Sequence, residues 1–225
     1  MSSRETVLAS IRRSLGVTGR EAPRRQGVDA RIAGHPVGVV PARAQLDPAA
    51  RLDLFKEMVL AAASTLDHLV STDDVPEAIA AYLRARNLPL NILRGADSRF
   101  FDLPWHRAPT LNVEIGPSDG HQLAGLSHAF AGVAESGTVV MLSGPDNPST
   151  LNLLPDHHLV MVLAEDVAGD YEAVWSRLRA RFGSGVMPRT VNWITGPSRS
   201  ADIEQTLLLG AHGPRSLHIL LVGEI

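Results

Sequence analysis

The 225-residue sequence has no cysteine. Disulfides, thiolate nucleophiles, Cys-based structural zinc sites and cysteine-ligated iron–sulfur clusters are therefore outside the chemistry of this chain. Also missing are an apolar run long enough to cross a bilayer and an N-terminal apolar core of the signal-peptide kind, so the expectation is a cytoplasmic protein. No glycine pattern matches a dinucleotide fingerprint or a Walker loop, and no His-x-His or His-Glu-x-x-His spacing occurs. Nothing in the residues points to NAD, ATP or a metal. An excess of either charge is absent as well. Lys and Arg number 21 against 24 Asp and Glu, which gives no electrostatic reason to expect nucleic acid or an anionic membrane.

What is present suits one α/β domain with an appendage. Hydrophobic residues make up 44% and charged residues 20%, and the length allows a substantial core. Ser2-x-x-Glu5 reads as a capping box before Val7, Leu8, Ile11 and Leu15, which share one helical stripe ended by Gly16. That helix docks either on its own domain or on a partner. Residues 16–46 carry Gly, Pro and Arg without a sustained period and read as an irregular arm, its arginines solvated or facing an acidic partner. The expected division is 1–46 for helix and arm and 47–225 for the α/β domain.

Asp47-Pro48 reads as an N-cap with proline at the first helical position, followed by the apolar face Leu52, Phe55, Met58, Val59 and Ala62. Beyond it, strand candidates (66–71, 90–93, 111–115, 139–142, 159–163, 191–195, 217–222) alternate with helix candidates (75–86, one within 122–133, 171–182, 201–209). Such alternation predicts an open, mostly parallel sheet with helices on both faces. Val139 to Leu142 is expected as its central strand. The Glu135-Ser-Gly turn precedes that strand and Ser143-Gly-Pro-Asp-Asn-Pro148 follows it, and ligands gather where strand ends meet loops.

Two stretches carry candidate chemistry. Glu135 sits between apolar segments, where a carboxylate is either hydrogen-bonded or reactive, so a general base or acyl nucleophile stands beside a structural carboxylate taking backbone N–H bonds. The Gly196-Pro-Ser-Arg199 turn should feed a helix, and its backbone N–H groups with Ser198, Arg199 and Ser200 suit a carboxylate or phosphate; the serines serve equally as helix caps. Asp202 and Glu204 lie two apart and share no helical face. That spacing speaks against a joint metal site, and Asp202 is either catalytic, a complement to the helix dipole or a hydrogen-bond partner of a neighbouring loop. His157 and His158 should face opposite sides of a strand, and His212 lies in a glycine-flanked loop. The geometric expectation is that the glutamate turn and the Pro-Ser-Arg turn meet around one hollow.

The block Ala134-Glu-Ser-Gly-Thr-Val-Val-Met-Leu142 with Leu154-Pro-Asp-His-His158, and the block Ile194 to Glu204 with Leu209-Gly-Ala-His-Gly-Pro214, resemble the LUD domain of the lactate-utilisation protein C (LutC/YkgG) family. The likeness runs over roughly residues 50 to 225, with Ser136 and Ser200 where the family often has threonine. It implies a fold similar to the NagB/RpiA/CoA-transferase superfamily. It also implies a part in bacterial oxidation of L-lactate to pyruvate, beside an FeS-oxidoreductase subunit and an iron–sulfur subunit that hold the clusters, with no cofactor in this chain. The motif positions it carries over are Glu135, Gly137, Thr138, Gly196, Ser198, Arg199, Asp202, Glu204, His212 and Gly213. The expected role is a non-cluster component that binds a small carboxylate or phosphate-bearing ligand, or assembles with the cluster-bearing subunits. The alternative is a stand-alone enzyme using Glu135 on an acyl or CoA substrate.

Overall fold

In the computed structural model, which describes residues 2–183, 185–200 and 208–224, the chain divides into two units, Met1–Val39 and Val40–Ile225. The first unit holds helix α1 (Ser3–Leu15) with the full capping box. Ser2 Oγ accepts the Glu5 N–H while the Glu5 carboxylate accepts the Ser2 N–H, and Gly16 closes the helix in the left-handed conformation at φ 64. Part of the expected irregular arm is instead helix α2 (Ala22–Gly34), which starts with proline in its first turn. Neither helix buries a residue. A helix that buries nothing has no physical need for an apolar period, which is why α2 left no such trace in the sequence.

The second unit begins with α3 (Pro48–Ala61), where Asp47 accepts the Ala50 N–H as N-cap. There follow β1 (Thr65–Leu69), α4 (Val75–Ala85), β2 (Asn91–Arg94) and β3 (Asn112–Ile115). The stretch 122–133, expected to contain a helix, is two short strands, β4 (Ala124–His128) and β5 (Ala131–Val133). Next come β6 (Thr138–Leu142), α5 (Ser149–Leu153), β7 (His157–Leu163), β8 (Val167–Ala168), α6 (Tyr171–Phe182) and β9 (Val191–Ile194). The chain closes with β10 (Arg199–Ser200), β11 (Leu208–Leu209) and β12 (Ser216–Val222). Of the helix expected over Ala201–Leu209, Leu208 and Leu209 are strand; the remainder lies outside the described residues.

Six strands form one wholly parallel sheet in the order β1-β12-β7-β4-β2-β3, the α/β architecture that the alternating pattern predicts. The apolar strand β6 is not at its centre. It belongs to a second sheet, β8-β5-β6-β9, in which β6 runs antiparallel to both neighbours. Val139 and Met141 of β6 pack with α3 and with Val160, Val162, Ile219 and Leu221 of the parallel sheet. Val140 packs the other way, with Val174 and Leu178 of α6. An uninterrupted apolar run reports burial on both faces, and a middle layer meets that requirement as well as the centre of a parallel sheet does. The far face of the parallel sheet is covered by α4 through Val75, Ile79, Tyr82 and Leu83. Among the described residues no helix is long and apolar enough to cross a membrane.

Candidate functional site

The site is assembled where the parallel sheet faces the second sheet. Strands β4 and β7 are parallel neighbours, with Gly125 opposite His158 and Ser127 opposite Val160. A Cβ at Gly125 would lie 2.9 Å from Pro155 and 3.1 Å from Leu151, so glycine allows α5 to settle directly on β4. That close approach brings Asn152 of α5 onto Ser127.

Three buried polar side chains then form a relay whose proton positions follow from hydrogen-bond bookkeeping. Ser127 Oγ donates to Asn152 Oδ1 at 2.7 Å. A hydroxyl has one proton, so His158 Nε2, 3.0 Å from the same oxygen, is the donor in that contact. Complete burial pulls the His158 pKa down to about 3, which keeps the ring neutral. With its proton on Nε2, the Nδ1 atom carries a bare lone pair. Neither His158 Nδ1 nor Asn152 Nδ2 has a protein partner. One acceptor and one donor, both fixed in place, are left over.

Asn152 and His158 line a cavity of about 270 Å³ together with Trp193, Ile194 and Leu217, the Gly196–Arg199 turn and the His212–Pro214 loop. The two loops are laced by backbone bonds: the Ser198 N–H donates to Pro214 O at 2.8 Å, and the Gly210 N–H donates to Ser198 O at 3.0 Å. The His212 N–H donates to Ser198 Oγ at 3.2 Å, and β10 pairs with β11. Gly196 has φ 74, and a Cβ there would sit 2.3 Å from Ala62 O, at the end of α3. Arg199 Nη2 donates to that same Ala62 carbonyl at 2.6 Å, and among the described residues the guanidinium makes no further hydrogen bond.

Of the residues singled out in the sequence, Gly196, Ser198, Arg199, His212 and Gly213 thus line one hollow. Glu135 does not. It is buried, and its carboxylate accepts the Tyr171 N–H at 3.2 Å, at the first turn of α6. Gly137, at φ 67, packs against the α3 backbone, where a Cβ would be 2.5 Å from Met58 C and Val59 N. The Thr138 hydroxyl contacts Ser136, Tyr171 and Thr195. This hydroxyl cluster joins the glutamate turn to the Gly196 turn at one end of the second sheet, yet the carboxylate itself points toward α6. Asp202 and Glu204 lie outside the described residues.

His157 and His158 face opposite sides, as strand geometry requires: His157 Nδ1 meets the Tyr82 hydroxyl at 3.0 Å on the α4 side. Sequence reasoning did not find Ser127 or Asn152. The available signal was a serine directly after Ala124-Gly-Leu126 and an asparagine in Leu151 to Leu154, polar groups placed where burial is expected. Among the described residues no cluster of three or more His, Asp or Glu side chains could hold a metal ion.

Comparison with known proteins matches residues 112–222 to the LUD domain. A lactate utilization protein C of Bacillus subtilis is 36% identical over 101 residues, 44% of this chain and 42% of that protein. The lactate utilization protein C of Halalkalibacterium halodurans is 37% identical over 99 residues, 43% of each. An uncharacterized protein of Neisseria meningitidis serogroup B is 40% identical over 100 residues, 44% of this chain and 42% of that one. The match thus spans less than half the length of these curated relatives. The crystal structure of a DUF162 family protein from Deinococcus radiodurans superposes with a TM-score of 0.59 at 22% identity, covering 79% of this chain and 99% of that one, and shows the same fold. The domain match covers both loops of the cavity and the relay beneath them, and on that ground the chain belongs to the LUD-domain family, beside the proteins named lactate utilization protein C.

Proposed function

We propose that this protein serves lactate utilisation as a component without an iron–sulfur cluster, and that its cavity binds a small 2-hydroxy or 2-oxo carboxylate. The names of the bacterial relatives support the first part. The observation that carries the second is the pair of partnerless polar atoms at the end of the relay, His158 Nδ1 and Asn152 Nδ2. A 2-hydroxy acid offers a hydroxyl donor for Nδ1 and carboxylate oxygens for the amide N–H, with the Arg199 guanidinium as counter-charge. A 2-oxo acid keeps the carboxylate and loses the donor, so the hydroxy acid should bind more tightly. Cluster-bearing subunits are the partners that this reading implies, since a chain without cysteine leaves thiolate ligation to others.

The acyl-transfer alternative through Glu135 draws no support from the geometry, because that carboxylate is engaged at α6 and does not line the cavity. Titration calorimetry with L-lactate, pyruvate and propionate tests the proposal. Lactate should bind about tenfold more tightly than propionate, one hydrogen bond's worth, and Arg199→Ala should weaken lactate by at least as much. Equal affinities for lactate and propionate, or an unchanged affinity in Arg199→Ala, would overturn it.

A further inference from the structure

A second hollow lies at the opposite end of β6. It is lined by the loop Ser143–Asn147 that follows this strand, by Asp97 and Arg99 beyond β2, by His128 at the end of β4, and by Phe130, Arg181 and Phe182. Its volume is about 290 Å³. The carboxyl ends of parallel strands β2 and β4 open here, the position at which α/β sheets collect ligands.

Its polar groups divide into those already satisfied and those left over. Asp97 is bound by Arg99 through two guanidinium nitrogens and the backbone N–H, so this pair neutralises itself. Asp146 stands exposed at the loop. Arg181 has aromatic neighbours, its guanidinium 5.6 Å from the Phe130 ring and 5.4 Å from the Phe182 ring, but forms no ion pair among the described residues. His128 is 3% exposed, and its Nδ1 lies 2.6 Å from Ala129 O. A carbonyl only accepts, so Nδ1 carries the proton. Burial and the nearby Arg99 charge hold the ring neutral, with a pKa of about 4. Nε2 is therefore a lone pair, buried and without a protein partner.

We propose that this hollow is a second binding site, distinct from the cavity at the Gly196–Arg199 turn, for a hydroxylated organic anion whose anionic group pairs with Arg181 and whose hydroxyl donates to His128 Nε2. Both ligand groups are required: the arginine selects charge, and the imidazole lone pair selects a donor. The Phe130 and Phe182 rings lie beside the guanidinium on the wall of the same hollow.

Calorimetry on the full chain separates the two requirements with sn-glycerol 3-phosphate, 3-hydroxypropionate, inorganic phosphate and glycerol as probes. At least one of the first two should bind at least about tenfold more tightly than phosphate and glycerol, and whichever binds more tightly names the anion as phosphate or carboxylate. Arg181→Ala, a change on an exposed helix end, should reduce that affinity about tenfold or more. His128→Phe should bring it down to that of the anion alone. Arg199→Ala should leave it unchanged, which keeps this site's outcome separate from that of the lactate cavity. No binding of either hydroxylated anion, or binding that Arg181→Ala does not alter, overturns the proposal.

Discussion

At the scale of single residues, the cavity depends on a hydroxyl that does not itself line it. Ser127 accepts from His158 and donates to Asn152, and so fixes which nitrogen of His158 is bare. Ser127→Ala would strand the His158 N–H and the Asn152 oxygen in the core. The expected loss is about 2–3 kcal/mol in urea unfolding, together with loss of the discrimination between lactate and propionate. Glu135→Gln makes the converse case. A glutamine oxygen still accepts the Tyr171 N–H, so lactate affinity should stay within about twofold and stability within about 1 kcal/mol. A tenfold loss of binding in a folded Glu135→Gln protein would return this carboxylate to the site.

At the scale of elements, α3 is the shelf on which both glycine turns rest. Gly137 meets its backbone at Met58 and Val59, and Gly196 meets it at Ala62. Removing the Asp47 cap by Asp47→Ala should cost about 1 kcal/mol in thermal or urea unfolding without altering ligand affinity. Gly196→Ala combines positive φ with a backbone clash and should cost more, with ligand affinity lost as well. The elements were legible where composition marks their ends. Ser2 and Gly16, Asp47 and Pro48, and Gly183 behind α6 stand where their physical roles require. Legibility failed where periods coincide. Leu123, Leu126, Phe130 and Val133 recur at helical spacing, yet Gly125 and Gly132 mark two strands pressed closely against neighbours. The loops of the site were visible because glycine, proline and hydroxyl residues cluster in them. The relay was not, since Ser127, Asn152 and His158 come from three elements that only sheet pairing and the Gly125 contact bring together.

At the scale of the whole molecule, buried imidazoles set the response to acid. Burial lowers His128 and His218 to about 4 and His158 to about 3, while the unfolded chain binds these protons near 6.5. Depressed histidines leave stability intact above the unfolded value. It falls as the pH drops from 6.5 toward 4, because the unfolded state then holds more protons. Each contributes up to about 1.4 kcal/mol per pH unit, so the three together give a slope of about 4 kcal/mol per unit at most. The Asp67 carboxylate, 3.5 Å from His218 Nε2, offsets part of the His218 share. Urea midpoints measured at pH 8, 6 and 5 should be ordered accordingly. A flat profile would mean that these rings are hydrated or charged in the native state.

The most direct test of the central claim, that the relay leaves His158 Nδ1 as an acceptor for a ligand hydroxyl, is nitrogen NMR of imidazole-labelled protein during titration with L-lactate and, separately, propionate. Before ligand, His158 should show one protonated nitrogen, Nε2, and one bare nitrogen, Nδ1. Lactate should shift the bare resonance toward the hydrogen-bonded position, and propionate should leave it in place. A proton found on Nδ1 in the free protein, or a His158 signal indifferent to lactate at saturation, would contradict the account.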